Sequence, residues 1–314
     1  MHSSKLTVYA ALAGNLAVAC TKLAAAIITG SSAMFSEAVH SLVDTGNEAL
    51  LLFGYRQAER RPNLAHPFGY GRELYFWSFI VALALFGLGA GVSLYQGIHH
   101  IINPEPVRQV MVSYVVLGLS FLFEGASWWV AWRGFEKARG TTPFWQAFRQ
   151  SKDPPAFMVL FEDSAALIGI LLAAAGIFAA DTFDMPVFDG IASVMIGLVL
   201  AITAGLLAVE SKSLLIGERA PPDLVAAVQR IAEATPGVIR ANSALTAQLS
   251  PNQSTVGLNI EFDDDLTTPQ IEAIVEDIEN KVRAAHPEVV ALFVKPQTHE
   301  RFEQVVKHRF GEAG

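Results

Sequence analysis

The sequence predicts an all-α membrane bundle of six transmembrane helices, followed by a C-terminal cytoplasmic α+β domain with the order αββαβ. Three observations support this fold class. The 314 residues are 52% hydrophobic and 17% charged, with a mean hydropathy of +0.37, which is too apolar for an ordinary soluble domain. Six apolar runs are each long enough to cross a hydrocarbon layer of about 30 Å as a helix. After Lys212 the pattern changes to short amphipathic segments.

The six apolar runs are separated by segments rich in glycine, proline and asparagine, which break helices. They lie at residues 7–29, 34–55, 74–101, 110–132, 157–180 and 188–210. Arginine and lysine concentrate between the second and third runs and between the fourth and fifth. The positive-inside rule therefore predicts that both termini are cytoplasmic. The acidic connection at residues 181–189 is expected to lie outside, where its carboxylates are interpreted either as ordinary solvated groups or as groups that raise the cation concentration at an outer mouth.

The soluble part begins near residue 213, which divides the chain into residues 1–212 and 213–314. From Gly217 onward there are 15 acidic and 9 basic residues, so most of the net charge of −8 belongs to this part. Its pattern predicts helices at 222–234 and 269–285 and strands at 238–249, 255–262 and 289–294. No basic stripe with interleaved aromatics is present, so nucleic acid is not an expected partner. Cys20 is the single cysteine, which excludes an internal disulfide and a multi-cysteine zinc cluster.

The second apolar run carries four ionisable residues on one predicted helical face. Glu37, His40, Asp44 and Glu48 follow one another at spacings of three, four and four. Ionisable groups at membrane depth usually line a site or a pathway, and an imidazole with a carboxylate can bind a divalent metal ion. We therefore predict a metal site at His40 and Asp44. Glu37 and Glu48 lie nearer the ends of the run and are expected to reach water.

The fifth apolar run contains the adjacent acids Glu162 and Asp163. Neighbouring positions on a helix point about 100° apart, so the two acids are expected to have different tasks. One would complete the metal site, and the other would face a cavity or a cationic partner. Asn47 is interpreted either as a weak carbonyl ligand or as a helix-packing hydrogen-bond donor. Lys22 is interpreted either as the partner of an acid or as a side chain that reaches the membrane interface.

Three separately placed motifs, together with the six runs, resemble the cation diffusion facilitator family of zinc and related metal transporters. The motifs are Gly30-Ser31-Ser32-Ala33 continuing through His40-Ser41-Leu42-Val43-Asp44, His66-Pro67-Phe68-Gly69-Tyr70-Gly71-Arg72-Glu73, and Phe86-Gly87-Leu88-Gly89. The resemblance covers essentially the whole chain. It implies a homodimer in the lipid bilayer that exchanges a divalent metal ion for protons. It also implies that residues 1–212 are the transport domain and residues 213–314 a cytoplasmic dimerisation domain with a tail.

The resemblance also implies which residues hold the ion. Family members place two ligands on the second span, matching His40 and Asp44, and two on the fifth span. Asp163, with a glycine six positions later, matches one of the latter, but Val159 stands where the family has a histidine. Glu162 is the nearby substitute, which gives the predicted metal set His40, Asp44, Asp163 and Glu162. The segment at residues 160–166 looks like the branch that includes the mitochondrial zinc-transporter-like proteins of animals.

The predicted function is therefore efflux of a divalent metal cation in exchange for protons, without an organic cofactor and without enzymatic activity. Zinc is the first expectation, and the oxygen-rich ligand set also admits manganese, iron(II) or cobalt. A membrane-embedded hydrolase is disfavoured because the sequence has no His-Glu-x-x-His motif and no nucleophile with a base. A non-transporting metal sensor or scaffold acting through the cytoplasmic domain stays open. A bacterial plasma (inner) membrane is the expected location, with an organelle as the alternative.

Overall fold

A computed structural model of the chain describes residues 2–311, except for the side chains of residues 2–14, 156, 309 and 310. The described residues form two compact units. The first unit comprises residues 2–57 and 73–212, and the second comprises residues 58–72 and 213–311. The connection at residues 58–72 therefore belongs to the second unit.

The first unit is helical throughout. Its elements are α1 (His2–Thr29), α2 (Ser32–Ala58), α3 (Glu73–Ala84), a π-helical turn (Leu85–Ala90), α4 (Gly91–Ile102), α5 (Val110–Arg139), α6 (Phe144–Gln150), α7 (Pro154–Phe183) and α8 (Val187–Ile216). Gly30 separates α1 from α2 with a φ of +70°, a left-handed conformation that glycine adopts without strain. The π-helical turn coincides with the Phe-Gly-Leu-Gly motif, and such turns are frequent at functional sites.

Four helical stretches are long and apolar enough to cross a membrane, judged by length and composition. They are Glu73–Ile102, Val110–Arg139, Phe157–Phe183 and Val187–Ile216, which agree with the third to sixth predicted spans. The first predicted span is helical, but its described side chains cover only the apolar stretch Asn15–Thr29. The second is helical over Ser32–Ala58, and its ionisable residues lower its hydropathy.

Small residues let the helices of the first unit approach closely. A Cβ added to Gly97 of α4 would lie 2.8 Å from the carbonyl oxygen of Gly190 in α8. A Cβ on Gly176 of α7 would collide with Ala192 of α8. In membranes, where apolar burial between helices gains little, such backbone proximity is a main source of packing energy. These glycines therefore fix α8 against α4 and α7.

The second unit has the predicted order of helices and strands, followed by one further helix. Its elements are α9 (Pro222–Glu233), β1 (Val238–Ser250), β2 (Gln253–Phe262), α10 (Thr268–Ala285), β3 (Val289–Pro296) and α11 (His299–Phe310). The sheet order is β1-β2-β3, with β1 and β2 antiparallel and β2 and β3 parallel. A parallel pair needs a long crossover, which α10 supplies. The prediction of a C-terminal α+β domain is confirmed.

The core of the second unit lies between its sheet and helices α9 and α10. Val228 of α9, Ile278 of α10 and Leu258 of β2 are all fully buried there. The segment 58–72 packs on the same unit. Gly71 lies so close to β1 that a Cβ would stand 2.9 Å from the Leu249 carbonyl oxygen, and the ring of Phe68 meets that of Phe293 edge-on at 6.5 Å.

Candidate metal site

The acidic and imidazole side chains of α2 share one face, as their spacing predicts, but their exposure differs along the helix. The side chains of Glu37 and His40 are buried, with exposures of 0% and 1%, whereas that of Asp44 is 22% exposed. Glu48 is half-buried. The expectation that Glu37 reaches water is wrong, because its carboxylate lies wholly inside the helical unit. The accessible part of this face is therefore its Asp44 and Glu48 end.

His40 is a buried imidazole that is poorly satisfied by its surroundings. Its Nε2 lies 3.2 Å from Oδ2 of Asp44, one helical turn away, which is an ion-pair distance when the imidazole is protonated. Among the described atoms, neither ring nitrogen of His40 has a hydrogen-bond partner. Buried polar groups are almost always paired, so an unpaired one indicates a ligand or a proton that the polypeptide does not supply. A neutral imidazole is also the commonest metal ligand in proteins.

An acid-lined cavity of about 530 Å³ opens beside this histidine–aspartate pair. Five carboxylates from three helices line it: Asp44 and Glu48 of α2, Glu124 of α5, and Glu162 and Asp163 of α7. No lysine or arginine is among its described lining residues. A cleft with one sign of charge and low-dielectric walls concentrates ions of the opposite sign. The cavity is therefore suited to a cation.

The two adjacent acids of α7 face different neighbours, as the helical geometry predicts. Glu162 is 7% exposed and accepts a hydrogen bond of 2.9 Å from Nδ2 of Asn47 on α2. Asp163 accepts one of 2.7 Å from Oγ of Ser127 on α5. Of the two interpretations of Asn47, the structure shows the hydrogen bond between helices, which fixes Glu162 toward α2. Val159, one turn before Asp163, also lines the cavity.

The four predicted metal residues surround one region without forming a closed cluster. His40 and Asp44 are in contact, and Asp44 shares the cavity with Glu162 and Asp163. Within the described part of the chain, no three histidine, cysteine or acidic side chains are close enough together to hold an ion. Glu162 and Asp163 are instead engaged by Asn47 and Ser127.

Lys22 of α1 forms a buried ionic cluster at the level of Glu37. Its Nζ lies 3.2 Å from Oε2 of Glu37, donates a 2.7 Å hydrogen bond to Oγ of Ser41, and lies 3.6 Å from Oε1 of Glu124. The Lys22 side chain is only 1% exposed. The prediction of an acidic partner for Lys22 is confirmed, and the alternative of a side chain reaching the membrane interface is wrong.

Asp189 was expected among solvated carboxylates of an outer connection, and this expectation is wrong. Its side chain is fully buried and accepts hydrogen bonds of 2.5 Å from Oγ of Ser31 and from the backbone nitrogen of Ser32. His100 of α4 places Nε2 3.7 Å from Oδ2 of Asp189. The carboxylate lies at the amino end of α2, where free backbone N–H groups and the helix dipole favour a negative charge. Asp189 therefore anchors α2 to α8.

Sequence reasoning missed the contribution of α5 to this region. Glu124 and Ser127 lie three residues apart, so one helical face carries the carboxylate near Lys22 and the hydroxyl that binds Asp163. The signal was present, because Glu124 is the one acid within the apolar run 110–132. A single acid within a long apolar helix indicates a residue that lines a site or pathway, as the acids of α2 do.

Comparisons with known proteins agree with this architecture. A family profile described as "Cation efflux transmembrane domain" matches residues 8–216. A second profile, described as "Cation efflux protein, cytoplasmic domain", matches residues 220–295. Together the two profiles cover both parts of the chain in the order that the sequence predicted.

Individual relatives come from animals, plants and bacteria. The Xenopus laevis protein named "Proton-coupled zinc antiporter SLC30A9, mitochondrial" is 34% identical over 250 residues, covering 79% of this chain and 44% of the relative. "Metal tolerance protein C4" of Arabidopsis thaliana is 34% identical over 218 residues, covering 69% and 48%. "Cation-efflux pump FieF" of Cronobacter sakazakii is 26% identical over 295 residues, covering 89% and 91%.

The chain thus spans less than half of the length of the animal and plant relatives but nearly all of the bacterial one. The resemblance to the branch with the mitochondrial proteins, predicted from the Glu162-Asp163 segment, is confirmed. The cation diffusion facilitator resemblance is confirmed as well, and the match over residues 8–216 shows that the chain belongs to the cation efflux family.

Proposed function

We propose that the chain carries a divalent metal cation out across a membrane in exchange for protons, and that it is a transporter and not an enzyme. The observation that carries this proposal is His40, a buried imidazole whose Nδ1 has no hydrogen-bond partner among the described atoms and whose Nε2 lies 3.2 Å from Asp44, a lining residue of an acid-lined cavity. Nothing in ordinary helix packing requires an imidazole at that position. A metal ion or a proton satisfies it.

We infer that the transported ion is held by His40, Asp44 and Glu162. Glu162 is turned toward α2 by its hydrogen bond from Asn47, so it faces the helix that carries the other two ligands. Asp163 is held on the α5 side of the cavity by Ser127, where it attracts the ion before binding. The described side chains are not gathered into a closed metal cluster, so binding draws them together.

Exchange with protons follows from the chemistry of these ligands. Imidazole and carboxylate groups bind a metal only after losing their protons, so metal and proton occupancy exclude each other. A cavity that opens alternately to each side would load metal where protons are scarce and release it where they are abundant. In transporters generally, helices rock about a fixed site near the middle of the membrane.

The names of the relatives support this direction and coupling. The Xenopus laevis relative is named a proton-coupled zinc antiporter and the Cronobacter sakazakii relative a cation-efflux pump. We infer zinc as the first substrate. Manganese, iron(II) and cobalt are admitted as well, because a single imidazole among carboxylates selects weakly among these ions.

We further propose six membrane-crossing helices, formed by α1, α2, the continuous α3–α4 stretch, α5, α7 and α8. The outer faces of the first unit support this, since they expose large apolar side chains such as Ile27, Val130 and Val209, which are 74%, 72% and 71% accessible. Lipid would cover such surfaces. Residues 1–212 then form the transport domain, and residues 213–314 the cytoplasmic domain of a homodimer, with both termini in the cytoplasm of a bacterial cell.

Uptake measurements in proteoliposomes test this function. We expect the purified protein to move zinc when a pH gradient is imposed and to stop when the gradient is dissipated. Adding manganese, iron(II), cobalt or nickel in competition ranks the substrates. Metal binding without any flux would contradict the proposal and would favour a sensor or scaffold.

A further inference from the structure

Lys22 brings an ammonium group next to Ser41 and Glu124, two lining residues of the acid-lined cavity. Three side chains from two other helices receive its ammonium group: Glu37 and Ser41 of α2 at 3.2 and 2.7 Å, and Glu124 of α5 at 3.6 Å. The ammonium donates hydrogen bonds to Glu37 and Ser41, and Glu124 adds an ion pair at a longer distance. The cluster is buried, with Lys22 and Glu37 exposed by 1% and 0%.

A gain in folding stability does not explain why these charges are buried together. Removing an ammonium and a carboxylate from water costs several kcal/mol per ion, and their mutual attraction often only restores that loss. Apolar side chains of similar volume would fill the space without the cost. Charges retained at membrane depth generally take part in handling the substrate.

The carboxylates around Lys22 are continuous with those of the metal site. Glu37 lies one helical turn before His40, and Glu124 lines the same cavity as Asp44 and Glu162. Oε1 of Glu37 has no hydrogen-bond partner among the described atoms. It points instead at Gly169 of α7, where a Cβ would collide with it. Without Lys22, two acids and a hydroxyl would surround a space suited to a cation.

We propose that Lys22 is a tethered cation that occupies this space and so limits each chain to one metal ion in the cavity. The proposal rests on the proposed function, because it assumes that the metal enters beside Asp44 and Glu162. Lys22 neutralises Glu37 and Glu124, which leaves Asp44 and Glu162 with His40 for the transported ion. Lys22 thus determines how many ions are carried and does not itself bind them.

Isothermal titration of the purified full chain with zinc tests this proposal. We expect Lys22→Met to bind one more zinc ion per chain than the unmodified protein, because the vacated space keeps its two carboxylates. Adding Glu37→Gln to Lys22→Met should remove that additional ion. Comparing the two stoichiometries cancels any zinc bound by the cytoplasmic domain. A folded Lys22→Met protein with unchanged stoichiometry would overturn the proposal, as would an additional ion that persists in the double variant.

A second variant decides the question if Lys22→Met does not fold. Lys22→Gln, which keeps an N–H donor that can bond Ser41, should likewise bind one more zinc ion per chain than the unmodified protein; unchanged stoichiometry in a folded Lys22→Gln protein would overturn the proposal. The proposed function has a separate readout. If the unmodified protein carries no zinc flux but Lys22→Met binds an additional ion, transport is refuted, while Lys22 still limits the number of ions that bind. If the unmodified protein carries zinc flux but Lys22→Met binds no additional ion, transport stands and the proposed role of Lys22 is refuted.

Discussion

Gly169→Ala tests whether the carboxylate of Glu37 is held as tightly as its contacts indicate. Gly169 lies in α7, and an added Cβ would collide with Oε1 of Glu37 and lie 3.4 Å from its Cδ. A carboxylate at the end of a flexible side chain usually moves aside at little cost. Here its other oxygen is ion-paired with Lys22 inside the helical unit, so movement away from Gly169 disturbs that pair.

The size of the effect follows from three contributions. Placing a methyl group into a filled space costs about 1–3 kcal/mol, and separating a buried ion pair costs about 3–5 kcal/mol. Alanine in place of glycine inside a helix raises the free energy of unfolding by about 0.5–1 kcal/mol. Because the carboxylate is displaced but keeps part of its attraction to Lys22, we expect a net loss of about 2–4 kcal/mol.

Thermal unfolding in detergent, followed by tryptophan fluorescence, measures this loss. At about 2–4 °C per kcal/mol for a unit of this size, the apparent Tm should fall by roughly 4–16 °C. Gly205→Ala in α8 is the matched control, since nothing lies within 4 Å of its added Cβ. Equal Tm values for the two variants would refute the reasoning. In a Glu37→Ala background Gly169→Ala should no longer destabilise and should instead stabilise by about 0.5–1 kcal/mol; a full loss of stability there would refute the reasoning too.

Three further outcomes are expected. Asn47→Ala should weaken zinc binding by about 10–100-fold in calorimetry, because Glu162 loses the amide that orients it; unchanged affinity would remove that role. Glu162→Gln should reduce pH-driven zinc flux more than Asp163→Asn, and the opposite order would make Asp163 the ligand. Gly71→Ala should destabilise the second unit by about 1–3 kcal/mol, because its Cβ would stand 2.9 Å from the Leu249 carbonyl oxygen. Trypsin should then cleave segment 58–72 faster than in the unmodified protein. An unchanged cleavage rate would contradict this contact.

The sequence predicted those parts of the site that depend on a single helix. The spacing of Glu37, His40 and Asp44 requires one shared face on any α-helix, and the structure shows that face. The divergent directions of Glu162 and Asp163 follow from the same geometry. Helical period does not reveal which neighbour each side chain meets, so the hydrogen bonds from Asn47 and Ser127 could be seen only in the folded chain.

Burial of charge was harder to predict than its position along a helix. Glu37 and Asp189 were both expected in water, because hydropathy assigns an acid near the end of an apolar run to the surface. Each is buried beside a partner on another helix: Lys22 pairs with one oxygen of Glu37, and the amino end of α2 binds Asp189. Glu37, together with Asp44 and Glu48, also lowers the hydropathy of α2. Recognising membrane-crossing helices by length and hydropathy alone therefore misses α2, the helix that carries His40 and Asp44.

The central claim is that His40 and Asp44 hold an ion which protons displace. Zinc uptake into proteoliposomes under an imposed pH gradient tests it most directly, with His40→Ala and Asp44→Asn compared with Glu136→Gln. Glu136 pairs with Arg139 near the end of α5, away from the cavity, and is the matched control for loss of a carboxylate. We expect both site variants to fold and lose gradient-driven uptake, while the control retains it. Undiminished uptake by His40→Ala and Asp44→Asn would contradict the claim.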